Sequence, residues 1–222
     1  MSSFSVPRIK VCCISSVEEA WTAIRIGASA IGLASLMPNG AGLPEKKIAE
    51  ITASVPPPIG TFLLTSKRAA GDVVAQQRRC RTNTVQLCSR LESGSYEELR
   101  RGMPGVSIVQ TVYVTDETAL QEAVQIAPYV DALLLESGSQ ALTARDTGSA
   151  GRARGLRISR AIRDQVGIPI FLGGGLKAEH VAEAIRYVGP FGLDVSSGVR
   201  TDGRLSELKL AALFREVRRH TE

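Results

Sequence analysis

Short apolar segments alternate with amphipathic segments along the whole chain. The apolar segments are rich in β-branched residues, which is typical of buried strands, and the segments between them repeat their apolar positions at helical spacing. Eight strands are predicted in this way: Ile9–Ile14, Ala30–Ala34, Ile59–Leu64, Thr84–Leu87, Ser107–Val114, Asp131–Leu135, Pro169–Leu172 and Gly192–Val195. Eight strand-and-helix units in succession predict a (β/α)8 TIM barrel of the α/β class.

Local signals place some of the boundaries between these units. Ser16 is followed three residues later by Glu19, a capping box that puts the first strand-to-helix junction near Ser15. The last helix is predicted from about Leu205 to Arg219, and no linker rich in Pro, Gly and Ser divides residues 1–222, so one domain is expected. The longest irregular stretch, Ser137 to Arg154, is predicted to be a loop that covers the active site, because the loops after the strands carry the active sites of barrels.

Composition narrows the class of protein. The chain has 222 residues, 44% apolar and 22% charged, which suits one globular barrel, and it has no apolar run long enough to cross a bilayer. With no export signal at the N-terminus, a soluble cytoplasmic protein without a membrane partner is expected. The four cysteines lack metal-ligand spacing, which argues against a zinc site or a disulfide framework.

The net charge of +5 bears on possible partners. Lys and Arg are spread over many segments and are not interleaved with aromatic residues, so nucleic acid is not expected as a partner. An anionic small molecule explains the positive charge equally well. The basic run from Arg215 to His220 is interpreted as the solvated end of a helix.

Two adjacent strand ends indicate a phosphate site. The seventh strand ends in Gly173-Gly174-Gly175, directly before a helix, and the eighth ends in Ser196-Ser197-Gly198. Glycine lets the backbone approach a ligand, and amide N–H groups at a helix start bind phosphate, which barrels often hold at this position. A tight turn needed only for packing could account for one of these glycine-containing strand ends, but the two together favour a phosphate site.

Two further strand ends carry residues suited to proton transfer. Cys12 and Cys13 close the first strand on opposite sides, so one of them can face the barrel mouth as a base, although a buried cysteine is otherwise an ordinary core residue. Glu136 follows an apolar strand and is a candidate general acid or, equally, an exposed loop residue. His180 and His220 are expected to face solvent.

The chain resembles the phosphoribosylanthranilate isomerase family of tryptophan biosynthesis, from the first strand to the last helix. Lys10-Val11-Cys12-Cys13-Ile14 looks like the family's K-[IV]-C-G-[IL] start. The segment from Pro190 to Val199 is close to the family's P-x-[AG]-[VL]-D-V-S-S-G-V. The resemblance implies one barrel domain of the ribulose-phosphate-binding type, either monomeric or homodimeric.

The resemblance also implies an activity and its residues. The family converts phosphoribosylanthranilate to 1-(2-carboxyphenylamino)-1-deoxyribulose 5-phosphate by an Amadori rearrangement, with no metal or cofactor. By position, Cys12 would be the base and Glu136 the acid. The implied phosphate-binding residues are Gly174, Gly175, Ser197 and Gly198, and the implied substrate-binding residues are Lys10, Gln86, Asp194, Gly151 and Arg152.

Several positions depart from the family pattern, mostly at the anthranilate end. Glu136 stands where the family has aspartate, the loop Met37 to Pro44 lacks the family's arginine, and Cys88 replaces a histidine. Arg152 or Arg154 could replace the missing arginine, although a solvated loop is the simpler interpretation of both. Two alternatives therefore stay open: a related phosphosugar isomerase or lyase with another substrate, and a phosphosugar-binding protein without catalysis.

Overall fold

The chain folds as a (β/α)8 barrel, as the sequence predicts. The structure, a computed structural model, describes residues 6–37, 40–137 and 149–220. Eight parallel strands form a closed barrel in chain order: β1 (Arg8–Val11), β2 (Ala30–Ala34), β3 (Gly60–Thr65), β4 (Thr84–Leu87), β5 (Ser107–Tyr113), β6 (Ala132–Glu136), β7 (Ile170–Gly173) and β8 (Gly192–Val195).

A helix follows each strand. The helices are α1 (Val17–Ile26), α2 (Glu45–Ala53), α3 (Ala70–Cys80), α4 (Tyr96–Gly102), α5 (Thr118–Ile126), α6 (Ser149–Gln165), α7 (Ala178–Val188) and α8 (Glu207–Arg219). In the part of the chain that the structure describes, none of these helices has the length and apolar character that crossing a membrane requires.

All eight predicted strands are present, and β2, β4 and β8 have the predicted bounds. The largest difference is at β1, which ends at Val11 instead of Ile14. Cys12 and Cys13 therefore follow the strand. The reason is local: Cys13 has a φ of 59°, a left-handed conformation that no strand can contain.

The described residues fall into two compact units. The first, here the amino-terminal unit, comprises residues 10–110 and 129–131. It contains β2, β3 and β4, paired in parallel with Gly32 opposite Phe62 and Leu64 opposite Gln86. The second, the carboxy-terminal unit, contains β6, β7 and β8, with Glu136 opposite Gly173. That residues 1–222 make one domain stays a prediction.

The loop predicted from Ser137 to Arg154 is wrong over its last part. Helix α6 already begins at Ser149, and Gly151, Arg152 and Arg154 all lie in it. The helix is fixed further along, where Ile158 and Ile162 are fully buried at helical spacing, and its first turns extend from that anchor. Residues 138–148, where the rest of the predicted cover loop would lie, are outside the described residues.

Two helix starts show how serine sets the boundaries. The predicted cap of α1 is confirmed, because Ser16 Oγ accepts a hydrogen bond from the Glu19 amide at 3.1 Å. Helix α8 begins at Glu207, two residues after the predicted start near Leu205. Leu205 pairs with Arg200 in a two-stranded hairpin that turns at Asp202-Gly203, a sequence suited to tight hairpins, and Ser206 caps the helix behind it.

Candidate active site

In the amino-terminal unit, the side chains of Lys10 and Cys12 lie together at the carboxyl end of β1. Lys10 Nζ donates a hydrogen bond to Cys12 Sγ at 3.3 Å, and the two residues are 0% and 3% exposed. Cys13 is exposed. Cys12 is thus the inward-facing member of the pair, which the sequence left open. A thiol beside an ammonium group has more thiolate character than an isolated one, and thiolate is the form that acts as a base or nucleophile.

A glycine and an aromatic ring frame this pair. A Cβ atom at Gly32 would lie 2.8 Å from Cys12 Sγ, closer than real Cβ atoms approach other atoms, and in a tight contact of 3.1 Å with Lys10 Nζ. On the next strand, the Phe62 ring centroid is 5.2 Å from Lys10 Nζ, within the range of a cation–π interaction. The lysine ammonium is therefore held between a sulfur atom and a ring face.

Gln86 faces the same side of the sheet as this ring. Its register partner is Leu64, two residues after Phe62, and side chains two apart on a strand share a face. Gln86 is buried. Its implied contact with substrate is a prediction that the structure leaves untested.

In the carboxy-terminal unit, two carboxylates flank Gly173. Glu136 is the last residue of β6 and is half-buried, so it is neither an exposed residue nor part of a loop. A Cβ atom at Gly173 would lie 2.7 Å from Glu136 Oε2 and 3.6 Å from the Cβ of Asp194, which is buried on β8. Glycine at this position leaves room for the longer glutamate side chain between the strand ends.

The turn after β7 has the backbone conformation that its glycines suggest. Gly174 and Gly175 have φ values of 98° and 66°, which only glycine adopts readily. A Cβ atom at Gly174 would collide with the backbone and hydroxyl of Ser137, whose Oγ donates to the carbonyl oxygens of Gly173 and Gly174 at 3.4 and 3.3 Å. At Gly175 a Cβ atom would meet open space.

The turn after β8 packs directly on the turn after β7. Residues Ser197–Val199 form one turn of 3-10 helix, in which Ser197 is exposed and Gly198 is half-buried. A Cβ atom at Gly198 would collide with the carbonyl oxygen of Leu176. The structure thus brings Gly174, Gly175, Ser197 and Gly198 into one pair of touching turns, as the sequence predicts.

A small pocket opens beside the β7 turn. Leu156, Leu172, Leu176 and Ala184 supply apolar lining, and the polar groups come from Ser137, Arg152, His180 and the turn glycines. His220 is exposed, as predicted, whereas His180 is half-buried beside the pocket and only partly exposed to solvent. Gly151, implied by the resemblance as a substrate contact, is half-buried on α6 and is not among the residues that line this pocket.

Sequence reasoning missed two contributors to the site, Ser137, which follows a strand, and Gly32, which lies inside one. It included Gly173 in the phosphate turn but did not predict its contact with Glu136. An isolated glycine within a strand pattern often marks a close approach, and that signal was available for Gly32. The importance of Ser137 and Gly173 depends on neighbouring strands that are distant in sequence.

The fold and the residues at its strand ends indicate which class of protein this is. The chain is an α/β barrel that carries polar side chains and glycine-rich turns at the carboxyl ends of its strands, where enzymes of this fold have their active sites. Residues 9–216 match the family model described as N-(5'phosphoribosyl)anthranilate (PRA) isomerase. The chain belongs to the N-(5'-phosphoribosyl)anthranilate isomerase family.

Individual relatives agree with the family match. N-(5'-phosphoribosyl)anthranilate isomerase 2 of Methanosarcina mazei is 34% identical over 206 residues, which are 91% of this chain and 90% of the relative. Phosphoribosyl anthranilate isomerase from Thermococcus kodakaraensis has a similar structure, with a TM-score of 0.79, 26% identity, and coverage of 96% of this chain and 99% of that one. Another isomerase structure, in complex with reduced 1-(o-carboxyphenylamino)-1-deoxyribulose 5-phosphate, matches in fold with a TM-score of 0.77 and 21% identity, over 96% of this chain and 98% of that one.

Proposed function

We propose that this isomerase converts N-(5'-phosphoribosyl)anthranilate to 1-(2-carboxyphenylamino)-1-deoxyribulose 5-phosphate, with Cys12 as the general base and Glu136 as the general acid. The observation that carries the proposal is the contact between the buried Cys12 thiol and Lys10, in the segment that resembles the family's first strand. Family membership accounts for the isomerase class and for a role in tryptophan biosynthesis.

The two residues serve successive proton transfers. Glu136 donates a proton to the ribose ring oxygen, which opens the ring and leaves an iminium at C1′. Cys12, as thiolate, then removes the proton from C2′, and the electron pair of that C–H bond neutralises the iminium to give an enol-amine. Protonation at C1′ together with loss of the proton from the C2′ hydroxyl converts the enol-amine to the ketone. Positioned acid–base groups of this kind typically contribute about 10²- to 10⁴-fold to a rate.

The touching turns after β7 and β8 are proposed to hold the phosphate group. The positive φ angles of Gly174 and Gly175 bring backbone close to the ligand position without a side chain in the way. Lys177 makes no side-chain cap to α7, and the first two amide groups of that helix, those of Ala178 and Glu179, are proposed to face the anion. The amides of His180 and Val181 already donate to the Lys177 carbonyl oxygen. Ser197 adds an exposed hydroxyl and Gly198 a close backbone.

Arg152 has a proposed role at the phosphate end. It shares a pocket with Gly174 and Gly175, so its guanidinium is proposed to neutralise the phosphate. Lys10, Gln86, Asp194 and Gly151 remain predicted substrate-binding residues.

The experiment is turnover of freshly prepared phosphoribosylanthranilate, followed by loss of its fluorescence. Wild type is compared with Cys12→Ala and Glu136→Gln, and Cys80→Ala, at the last residue of α3, serves as a matched control for the loss of a thiol. We expect at least about a hundredfold loss of kcat in the two site variants and none in the control. Absence of turnover in wild type at high enzyme concentration, with the phosphorylated product still bound, contradicts the proposal.

One observation favours a second candidate substrate. The loop Met37 to Pro44 has no basic residue to meet an anthranilate carboxylate. A related phosphosugar isomerase that uses the same phosphate turns with a different substrate end fits this loop. Turnover of a panel of phosphorylated ribose and ribulose compounds, measured beside phosphoribosylanthranilate, distinguishes the two. The cytoplasmic location and the monomeric or homodimeric state remain predictions.

A further inference from the structure

The ammonium group of Lys10 is completely shielded from solvent in the structure, which is unusual for lysine. Burying a charge is expensive unless it has partners. Its neighbours in the amino-terminal unit include the sulfur atom of Cys12, 3.3 Å away, and the ring of Phe62. Both present electron density to the positive charge of the ammonium group.

The distance between lysine and cysteine is fixed by their surroundings. Lys10 is in β1 and Cys12 directly follows that strand, and the hydrogen bond of 3.3 Å places their side chains on the same side of the chain. Gly32 packs against both, and any larger residue there would push the sulfur and nitrogen atoms aside. Gly32 and Phe62, the residues that this unit's β2 and β3 place against the pair, carry no titratable group.

We propose that Lys10 is a positioning residue that acts through Cys12: it orients the sulfur atom and keeps it as thiolate. A hydrogen bond from a charged donor stabilises an anion more than the neutral thiol, so removing the charge shifts Cys12 toward the unreactive thiol. The catalytic importance of Lys10 rests on the proposed function of Cys12. Its stabilisation of the Cys12 thiolate does not depend on that function.

The test measures thiolate directly by its ultraviolet absorbance across a pH series. The amount that belongs to Cys12 is the difference between each protein and the same protein carrying Cys12→Ser. The parent carries Cys13→Gly, so that no second thiol lies next to the one measured. Burial raises the pKa of Cys80 to about 12, so this thiol stays protonated and adds no signal near neutral pH.

Lys10→Met removes the charge and keeps an unbranched side chain, whereas Lys10→Arg keeps the charge. We expect Lys10→Met to lower the ratio of thiolate to thiol at neutral pH by about tenfold or more, and Lys10→Arg to retain most of it. If Lys10→Met does not fold, Gly32→Ala replaces it, because its Cβ atom separates sulfur from nitrogen while the lysine stays. An unchanged thiolate signal in whichever of these two variants folds overturns the proposal.

Turnover separates this proposal from the function on which it rests. With an active wild type, Lys10→Met lowers kcat with little change in KM. A raised KM with an unchanged thiolate signal means that Lys10 binds substrate directly and overturns the positioning role. If wild type does not turn over phosphoribosylanthranilate at all, the absorbance series still decides whether Lys10 stabilises the thiolate.

Discussion

Gly173 controls the position of the proposed acid, and adding one methyl group there tests that role. A Cβ atom at residue 173 would lie 2.7 Å from Glu136 Oε2, whereas ordinary contact begins at 3.4 Å, so the carboxylate oxygen has to retreat by about 0.7 Å. The atom displaced is the far end of a flexible side chain, and the φ of Gly173 is not in the left-handed range. Gly173→Ala should therefore fold with a stability change of about 1 kcal/mol or less.

The effect on activity should be much larger. A displacement of about 1 Å in a reacting group can lower a rate by about a hundredfold, so we expect Gly173→Ala to lower kcat by about 10- to 100-fold. Initial rates with phosphoribosylanthranilate measure the effect, and guanidinium denaturation measures stability. Gly71→Ala, at an exposed site near the start of α3, is the matched control and should leave kcat unchanged.

A double variant sharpens the test of Gly173. Aspartate is one methylene shorter than glutamate, so Glu136→Asp should recover part of the activity that Gly173→Ala loses. Full activity of the single Gly173→Ala variant would refute the reasoning, because a displaced Glu136 would then be irrelevant to proton transfer.

Two further predictions concern stability. Cys13 is exposed and has a φ of 59°, a strained conformation for any residue except glycine. Cys13→Gly should therefore raise the free energy of unfolding by about 1 kcal/mol, whereas Cys13→Ala keeps the strain and should not raise it. Equal denaturation midpoints for the two variants would contradict this prediction. The second concerns Glu45, whose pKa is lowered from 4.5, chiefly by its hydrogen bond with Arg79. Because the folded pKa is the lower one, the stabilisation is present above pH 4.5 and is lost as the pH falls through the folded value. Glu45→Gln should be less stable than wild type at pH 7 but approach it in acid, and a difference that stays constant with pH would count against the ion pair.

The sequence predicts the barrel because strand formation here depends on local pattern. The apolar runs around Ile31, Val85 and Leu133 are bounded by polar or turn residues, and all three side chains are fully buried. The start of α6 was not predicted, since Gly, Ser and Arg dominate its first turns and its buried anchor residues lie farther along. A local pattern cannot reveal a helix end that packing elsewhere stabilises.

The candidate site was predictable residue by residue but not in its arrangement. Cys12, Glu136 and the paired turns could be selected because their side chains or glycines stand at strand ends. That Cys12 faces inward became clear only with its contact to Lys10. The spacing role of Gly173 requires the register of β6 against β7, which joins residues 37 positions apart. Strand register is a property of the tertiary structure, and the apolar pattern along one segment does not reveal it.

The collision that any side chain at Gly198 would have with Leu176 ties the turns after β7 and β8 together as one unit. Mutations that reshape one turn therefore need compensating changes in the other, so the sequences of the two turns should change together. The loop after β2, in contrast, departs from the family pattern while these turns keep theirs. A library intended to change what this barrel accepts would best hold residues 173–176 and 196–198 constant and randomise the loop after β2.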